Sequence, residues 1–124
     1  MNTIIIKVAG KKIKGELNNS LTAKKISAAL PLESNINRWS DEIYFKIPIE
    51  SKIEDGIEFL DEGSLAYWPP GNTFCIFFGL TPASTDDRPR AAGPVNYIGS
   101  IKDNSDLVIF KSLLSGQKIH ISKK

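Results

Sequence analysis

The stretch Thr3-Ile4-Ile5-Ile6-Lys7-Val8-Ala9-Gly10-Lys11-Lys12-Ile13-Lys14-Gly15-Glu16-Leu17 decides the fold class. Two β-rich runs, 3–8 and 12–17, meet at Ala9-Gly10-Lys11, and Gly10 suits the tight turn of a hairpin. In the second run Ile13 and Leu17 oppose Lys12, Lys14 and Glu16, the period-two alternation of a sheet with one apolar face.

The same pattern continues outward. Residues 32–39 and 42–47 read as strands around a turn at Ser40-Asp41. In the second, Ile43, Phe45 and Ile47 point one way and Glu42, Tyr44 and Lys46 the other. Pro48 ends it or marks an edge. A strand over 64–68 stops at Pro69-Pro70-Gly71. Residues 74–79 form the most apolar strand, expected at the centre. Strands over 95–102 and 118–122 complete the set. A helix is expected up to Leu30, with Ser20 or Thr22 as cap and Ile26, Ala29 and Leu30 on one face; Pro31 stops it. A second runs from Asp106 to Leu114, capped by Asn104 or Ser105. Residues 49–63 read as irregular and acidic. Residues 80–94 read as a long loop with Pro82, Pro89 and Pro94, of a length that is often functional.

The count is about eight short strands, paired through short turns, and two helices. Paired strands favour an antiparallel sheet over a doubly wound one. Closure into a mainly β, eight-stranded antiparallel barrel would remove exposed edges, with the two helices over its open ends. The 124 residues make one domain, 1–124, large enough to bury roughly two-thirds of its unfolded surface without a metal or disulfide. The single Cys75 excludes an intramolecular disulfide and reads as a small buried hydrophobe.

Charge and motifs exclude several chemistries. Sixteen Lys+Arg against 14 Asp+Glu give a net charge of only +2, a weak field for nucleic acid. Lys7, Lys11, Lys12, Lys14, Lys24 and Lys25 read as a solvated face. No stretch approaches the roughly 20 apolar residues of a membrane span, and no signal peptide is visible, so the chain is expected in the cytoplasm and off the membrane. The one histidine, His120, lies between Ile119 and Ile121, whose side chains are expected in the core, leaving His120 toward solvent. One Cys and one His do not make a zinc site. Asp103-Asn104-Ser105-Asp106 lacks the glycine and glutamate of an EF-hand and reads as a helix cap. No phosphate loop, dinucleotide fingerprint or nucleophile elbow occurs, so neither cofactor nor metal is expected.

Aromatic clusters remain: Asn37-Arg38-Trp39-Ser40-Asp41-Glu42-Ile43-Tyr44-Phe45, Ala66-Tyr67-Trp68-Pro69-Pro70-Gly71 and Phe74-Cys75-Ile76-Phe77-Phe78-Gly79-Leu80-Thr81-Pro82. Each tryptophan taken alone reads as a plug at an end of the core. Taken jointly, with Asn37, Arg38 and Glu42 among the rings, the clusters predict a shallow aromatic groove with few polar groups. Its expected lining is Asn37, Arg38, Trp39, Glu42, Tyr67, Trp68 and Phe78. Arg38 and Glu42 either orient the ligand or form a surface ion pair of little consequence.

These clusters, with Asn96-Tyr97-Ile98-Gly99, resemble a small bacterial and archaeal cyclophilin-like family of unassigned function, over nearly the whole chain. The resemblance implies a closed barrel of about eight strands with two capping helices. Cyclophilins proper are peptidyl-prolyl isomerases that use an apolar proline groove and an arginine on the prolyl amide. Phe78 falls where the groove phenylalanine would. The arginine position falls at about Asn37, with Arg38 one residue along, and one residue along a strand reverses the face. The loop 80–93 has no tryptophan, and the expected histidine falls near Pro94 or Val95. The resemblance thus implies a module for a proline-containing or apolar peptide segment or a small ligand, with weak or absent isomerase activity. The alternative it implies is a subunit or accessory of an amide-hydrolysing complex whose site is shared with a partner chain. Residues 50–62 and 80–94 would then be docking surfaces. A protein partner or a second copy of the chain stays open on either reading.

Overall fold

In the computed structural model, which describes residues 2–124, ten strands and two helices follow one another. They are β1 (Thr3–Val8), β2 (Lys11–Leu17), α1 (Leu21–Ala29), β3 (Leu32–Asn35), β4 (Asn37–Trp39), β5 (Glu42–Lys46), β6 (Ile57–Phe59), β7 (Ser64–Trp68), β8 (Thr73–Phe77), β9 (Arg90–Ile101), α2 (Leu107–Phe110) and β10 (Lys118–Lys123). Every pairing is antiparallel, in the order β3-β10-β1-β2-β9-β7-β8-β5-β4, with β6 on β9. The β1–β2 hairpin turns through Ala9 (φ 51) and Gly10 (φ 74), both left-handed. Two positive φ values in a two-residue turn match the twist of the flanking strands.

Two sequence expectations need correction. The sheet has ten strands rather than eight, and it is not a closed barrel. The run 32–39 is cut at Ile36, whose N–H donates to Gln117 O (2.9 Å) and whose carbonyl accepts from Gly116 N–H (2.8 Å). Those bonds tie Ile36 to the turn before β10, so β3 and β4 lie at opposite ends of the ladder. Ser34 Oγ donates to Lys46 O (3.0 Å) across the gap, but no backbone ladder joins the two ends. The tenth strand, β6, lies in the acidic stretch that reads as irregular, because its partner β9 starts at Arg90, inside the expected loop.

The helices keep their places with altered ends. Ser20 caps α1 by accepting from Ala23 N–H, and Leu30 is already extended (ψ 146) before Pro31. The second helix is shorter than expected. A 3₁₀ turn over Asn104–Asp106, capped by Asp103 accepting from Ser105 N–H, leads into the single turn of α2.

Alternation divides the sheet's two faces. One face closes on the main core, with Ile6, Ile13, Ile43, Phe45, Phe74 and Ile76 fully buried and α1 and α2 packed over it through Ile26 and Phe110. The other carries a smaller cluster of Leu60, Ala66, Cys75, Phe77, Ala91 and Val95, roofed by β6 and the first half of β9. β9 serves both faces because of a bulge. Leu65 pairs with Gly99 and Ala66 with Tyr97, which leaves Ile98 as the extra residue. Gly99 (φ 153) sits so close to β2 that a Cβ would meet Glu16 O at 2.0 Å. Ile119 and Ile121 enter the core as expected. His120 between them is half-buried, opposite Lys7 and Glu33, with Nδ1 covered and unpartnered. Among the described residues no helix is long and apolar enough to cross a membrane.

Candidate functional site

The second face holds a cavity of about 210 Å³, lined by Trp39, Glu42, Tyr44, Trp68, Thr73, Cys75, Ala91, Ala92 and Val95. Register explains the gathering. Trp39 pairs with Glu42, Glu42 with Phe77, and Tyr44 with Cys75, so these side chains share one face of the β4–β5–β8 ladder. Trp68 pairs with Thr73 at the end of the β7–β8 hairpin. The 3₁₀ turn Pro69–Gly71 and left-handed Asn72 (φ 50) hold that corner. Gly71 is required there, since a Cβ would lie 2.8 Å from Trp68 Cε3. Trp39, Tyr44 and Trp68 are half-buried, their remaining surface open to an entering group.

Glu42 is the site's buried acid. Its residue is 6% exposed, and Oε1 is covered with no hydrogen-bond partner. Burial raises its pKa to about 7, slightly opposed by the Cys75 thiol beside it. Burial, the nearby Glu42 charge and their hydrogen bond in turn push the Cys75 thiol up. Cys75 is therefore a neutral thiol rather than a nucleophile. None of the lining residues is Lys, Arg or His.

The remaining residues expected in the groove lie elsewhere. Phe78 is fully buried in the main core, stacked on Phe110 at 5.6 Å. Tyr67 is also fully buried on that side, its hydroxyl donating to Ile49 O (2.5 Å) and Asn72 Oδ1 (3.1 Å). Arg38 pairs with Ile43 on the core-side register and lies over the Phe78 ring at 5.3 Å. Its guanidinium donates to Ser40 O (2.8 Å), Lys111 O (2.8 Å) and Leu113 O (2.9 Å), and pairs with Asp41 (3.3 Å). It thereby binds carbonyls at the end of α2 and stays clear of the cavity. Asn37 is exposed on edge strand β4, outside the lining. The structure thus joins Trp39, Glu42 and Trp68 and separates them from Asn37, Arg38, Tyr67 and Phe78. Sequence reasoning missed Tyr44, Thr73, Cys75, Ala91, Ala92 and Val95. Strand β8 is buried on both faces and so carries no alternation to phase it. The signal for Tyr44 was present, since period-two alternation puts it on the same strand face as Glu42.

In the acidic segment Glu54 and Glu58 are half-buried and bonded within the fold, while Glu50, Asp55, Asp61 and Glu62 are exposed. The Glu54 carboxylate accepts from Leu21 N–H (3.2 Å), Thr22 N–H (2.9 Å) and Thr22 Oγ1 (2.5 Å), at the start of α1. The Thr22 hydroxyl and amide lower its pKa. Buried Asn96 binds Thr22 Oγ1 (3.0 Å) and Lys52 O (2.8 Å), which secures the segment. Glu58 pairs with Arg90 at 3.1 Å.

A family model described as cyclophilin-like matches residues 2–122. The chain belongs to the cyclophilin-like family. This cyclophilin-like chain is also similar to a hypothetical protein of Archaeoglobus fulgidus whose structure was solved in solution. The two share 32% identity and a TM-score of 0.79, over 98% of this chain and 94% of that one. No curated protein matches the sequence.

Proposed function

We propose that this cyclophilin-like protein is a binding module that takes a small, largely apolar group into the cavity between Trp39 and Trp68. The observation that carries this reading is the pair of half-buried tryptophans flanking an apolar hollow whose lining includes one buried carboxyl. Pockets of this composition, mostly apolar with few polar groups, are typical ligand sites. Volume selects the occupant. Pockets for drug-sized ligands span roughly 300–1,000 Å³, and this one is smaller. A single-ring molecule fits, as does one apolar side chain of a peptide, the ring of a proline included. An extended peptide segment does not fit inside.

The reading is binding without appreciable prolyl isomerisation. Arg38 is already committed to Ser40, Lys111 and Leu113 carbonyls, and no arginine lines the cavity to bond a prolyl amide there. The test is titration of single-ring compounds and proline peptides, followed by tryptophan fluorescence and by chemical shifts of the Trp39 and Trp68 indoles. Binding that shifts both indoles and is lost in Trp39→Ala and Trp68→Ala supports the reading. Ligands that shift only indole-distant residues sink it. A coupled isomerase assay is expected to show no rate above the uncatalysed reaction.

A further inference from the structure

We propose that the ligand of this cavity is a small organic cation, a ring-bearing amine whose ammonium group pairs with the Glu42 carboxylate among the aromatic walls. This rests on the binding reading above and specifies its chemistry. Buried Asn96, Thr81 and Tyr67 are matched internally, by Thr22 and Lys52, by Arg90, and by Ile49 and Asn72. Among the described residues the covered side-chain atoms without a partner are His120 Nδ1, on β10 outside the cavity lining, and Glu42 Oε1. Glu42 Oε1 is covered without a partner, and a covered oxygen of that kind is costly unless something bonds it. It lies in the lining of an open cavity rather than inside the packed core.

Three π-systems, Trp39, Tyr44 and Trp68, share that lining. The faces of such rings attract cations, tryptophan best. The titratable groups that face the cavity are Glu42, Tyr44 and Cys75, from β5 and β8; β4, β7 and β9 contribute none to the lining, and no element contributes a basic group. The site therefore offers one ionisable carboxyl and three electron-rich faces with no internal counter-ion. An anionic occupant would meet Glu42 as a like charge. A neutral hydrocarbon would leave Oε1 unbonded. An ammonium group satisfies both the oxygen and the rings. Because burial holds the free Glu42 carboxyl partly protonated near neutral pH, an incoming ammonium expels that proton into solvent as it binds.

The experiment compares benzylamine with benzyl alcohol, which share a ring and a hydrogen-bond donor and differ in charge. Calorimetry at pH 6.5 in two buffers of different ionisation enthalpy reads affinity and proton release together. The expected result is benzylamine binding at least roughly tenfold more tightly, with release of a fraction of a proton that benzyl alcohol does not cause. In Glu42→Gln the two dissociation constants converge. Equal affinities in the wild-type chain, or tighter amine binding without proton release, would overturn the proposal while leaving the binding reading intact. If neither compound shifts the Trp39 and Trp68 indoles, both readings fall. The proton-release measurement needs only the wild-type chain, so the proposal stays falsifiable should Glu42→Gln fold poorly.

Discussion

Trp39 and Glu42 are direct partners across the β4–β5 ladder and both line the cavity, whereas their neighbours Arg38 and Ile43 pair on the opposite, core-facing side. Adjacent residues on a strand point to opposite faces. One peptide unit therefore separates a candidate ligand contact from a structural cation, and substitutions at 38 and 39 should have unlike consequences.

Arg38→Ala should cost about 2 kcal/mol of stability, because it strips charged donors from the carbonyls of Ser40, Lys111 and Leu113. Urea denaturation should show the loss, and hydrogen exchange should quicken across residues 107–117. Binding in the cavity should be unchanged, and an affinity drop as large as that of Trp39→Ala would contradict the placement.

Trp39→Ala and Trp68→Ala should each weaken a cavity ligand by roughly tenfold or more, the range expected for an aromatic anchor. Both side chains are half-buried at strand ends, so the melting temperature should move less than the affinity. Gly71→Ala should act on the same site indirectly by displacing the Trp68 ring, 2.8 Å from the added Cβ. A fluorescence titration of all three variants separates loss of the ring from its misplacement.

Glu42 should make stability fall as pH rises. Its pKa is raised from 4.5 to about 7 in the fold, so between those values the native state holds a proton that the unfolded chain gives up. The stabilisation of the neutral acid is complete below about pH 4.5 and is lost as pH climbs through 7. The full span is on the order of 3 kcal/mol. Glu42→Gln, neutral throughout, should flatten this part of the profile in denaturation series at pH 5 and pH 8. Parallel profiles for the two chains would refute the assignment.

Glu54 should act in the opposite sense. Its pKa is lowered by the Thr22 hydroxyl and amide, so its contribution is present above the ordinary carboxylate range and is lost as pH falls. Glu54→Ala should cost about 1 kcal/mol, as removal of a helix cap does, with faster exchange of the Leu21 and Thr22 amides. Unaltered protection at those amides would show that the carboxylate does not hold the start of α1.

Gly99→Ala should be the most damaging single-methyl change. A Cβ there would stand 2.0 Å from Glu16 O, on a backbone with φ 153. Neither clash nor strain can relax without unzipping β2 from β9. The loss should exceed about 3 kcal/mol, read by denaturation or by recovery of folded protein.

Much of this was legible in the chain itself. Period-two alternation at Ile13 and Leu17, and at Ile43, Phe45 and Ile47, determined an antiparallel sheet and its buried face. It also placed Glu42 and Tyr44 together, because strand parity is a local property. Ser20 and Pro31 marked the ends of α1 for equally local reasons, a side-chain cap and a steric stop. Tertiary structure alone decided whether the sheet closes, since the backbone bonds of Ile36 go to Gln117 and Gly116, some eighty residues away. It alone decided the site as well. Phe78 and Tyr67 resemble Trp68 in composition, but β8 and most of β7 are buried on both sides. In such strands both faces are buried, polar Ser64 and Thr73 included, and no periodicity reveals the phase. Only the register of β5, β8 and β7 turns Phe78 and Tyr67 into the core and leaves Trp39, Glu42 and Trp68 around a hollow.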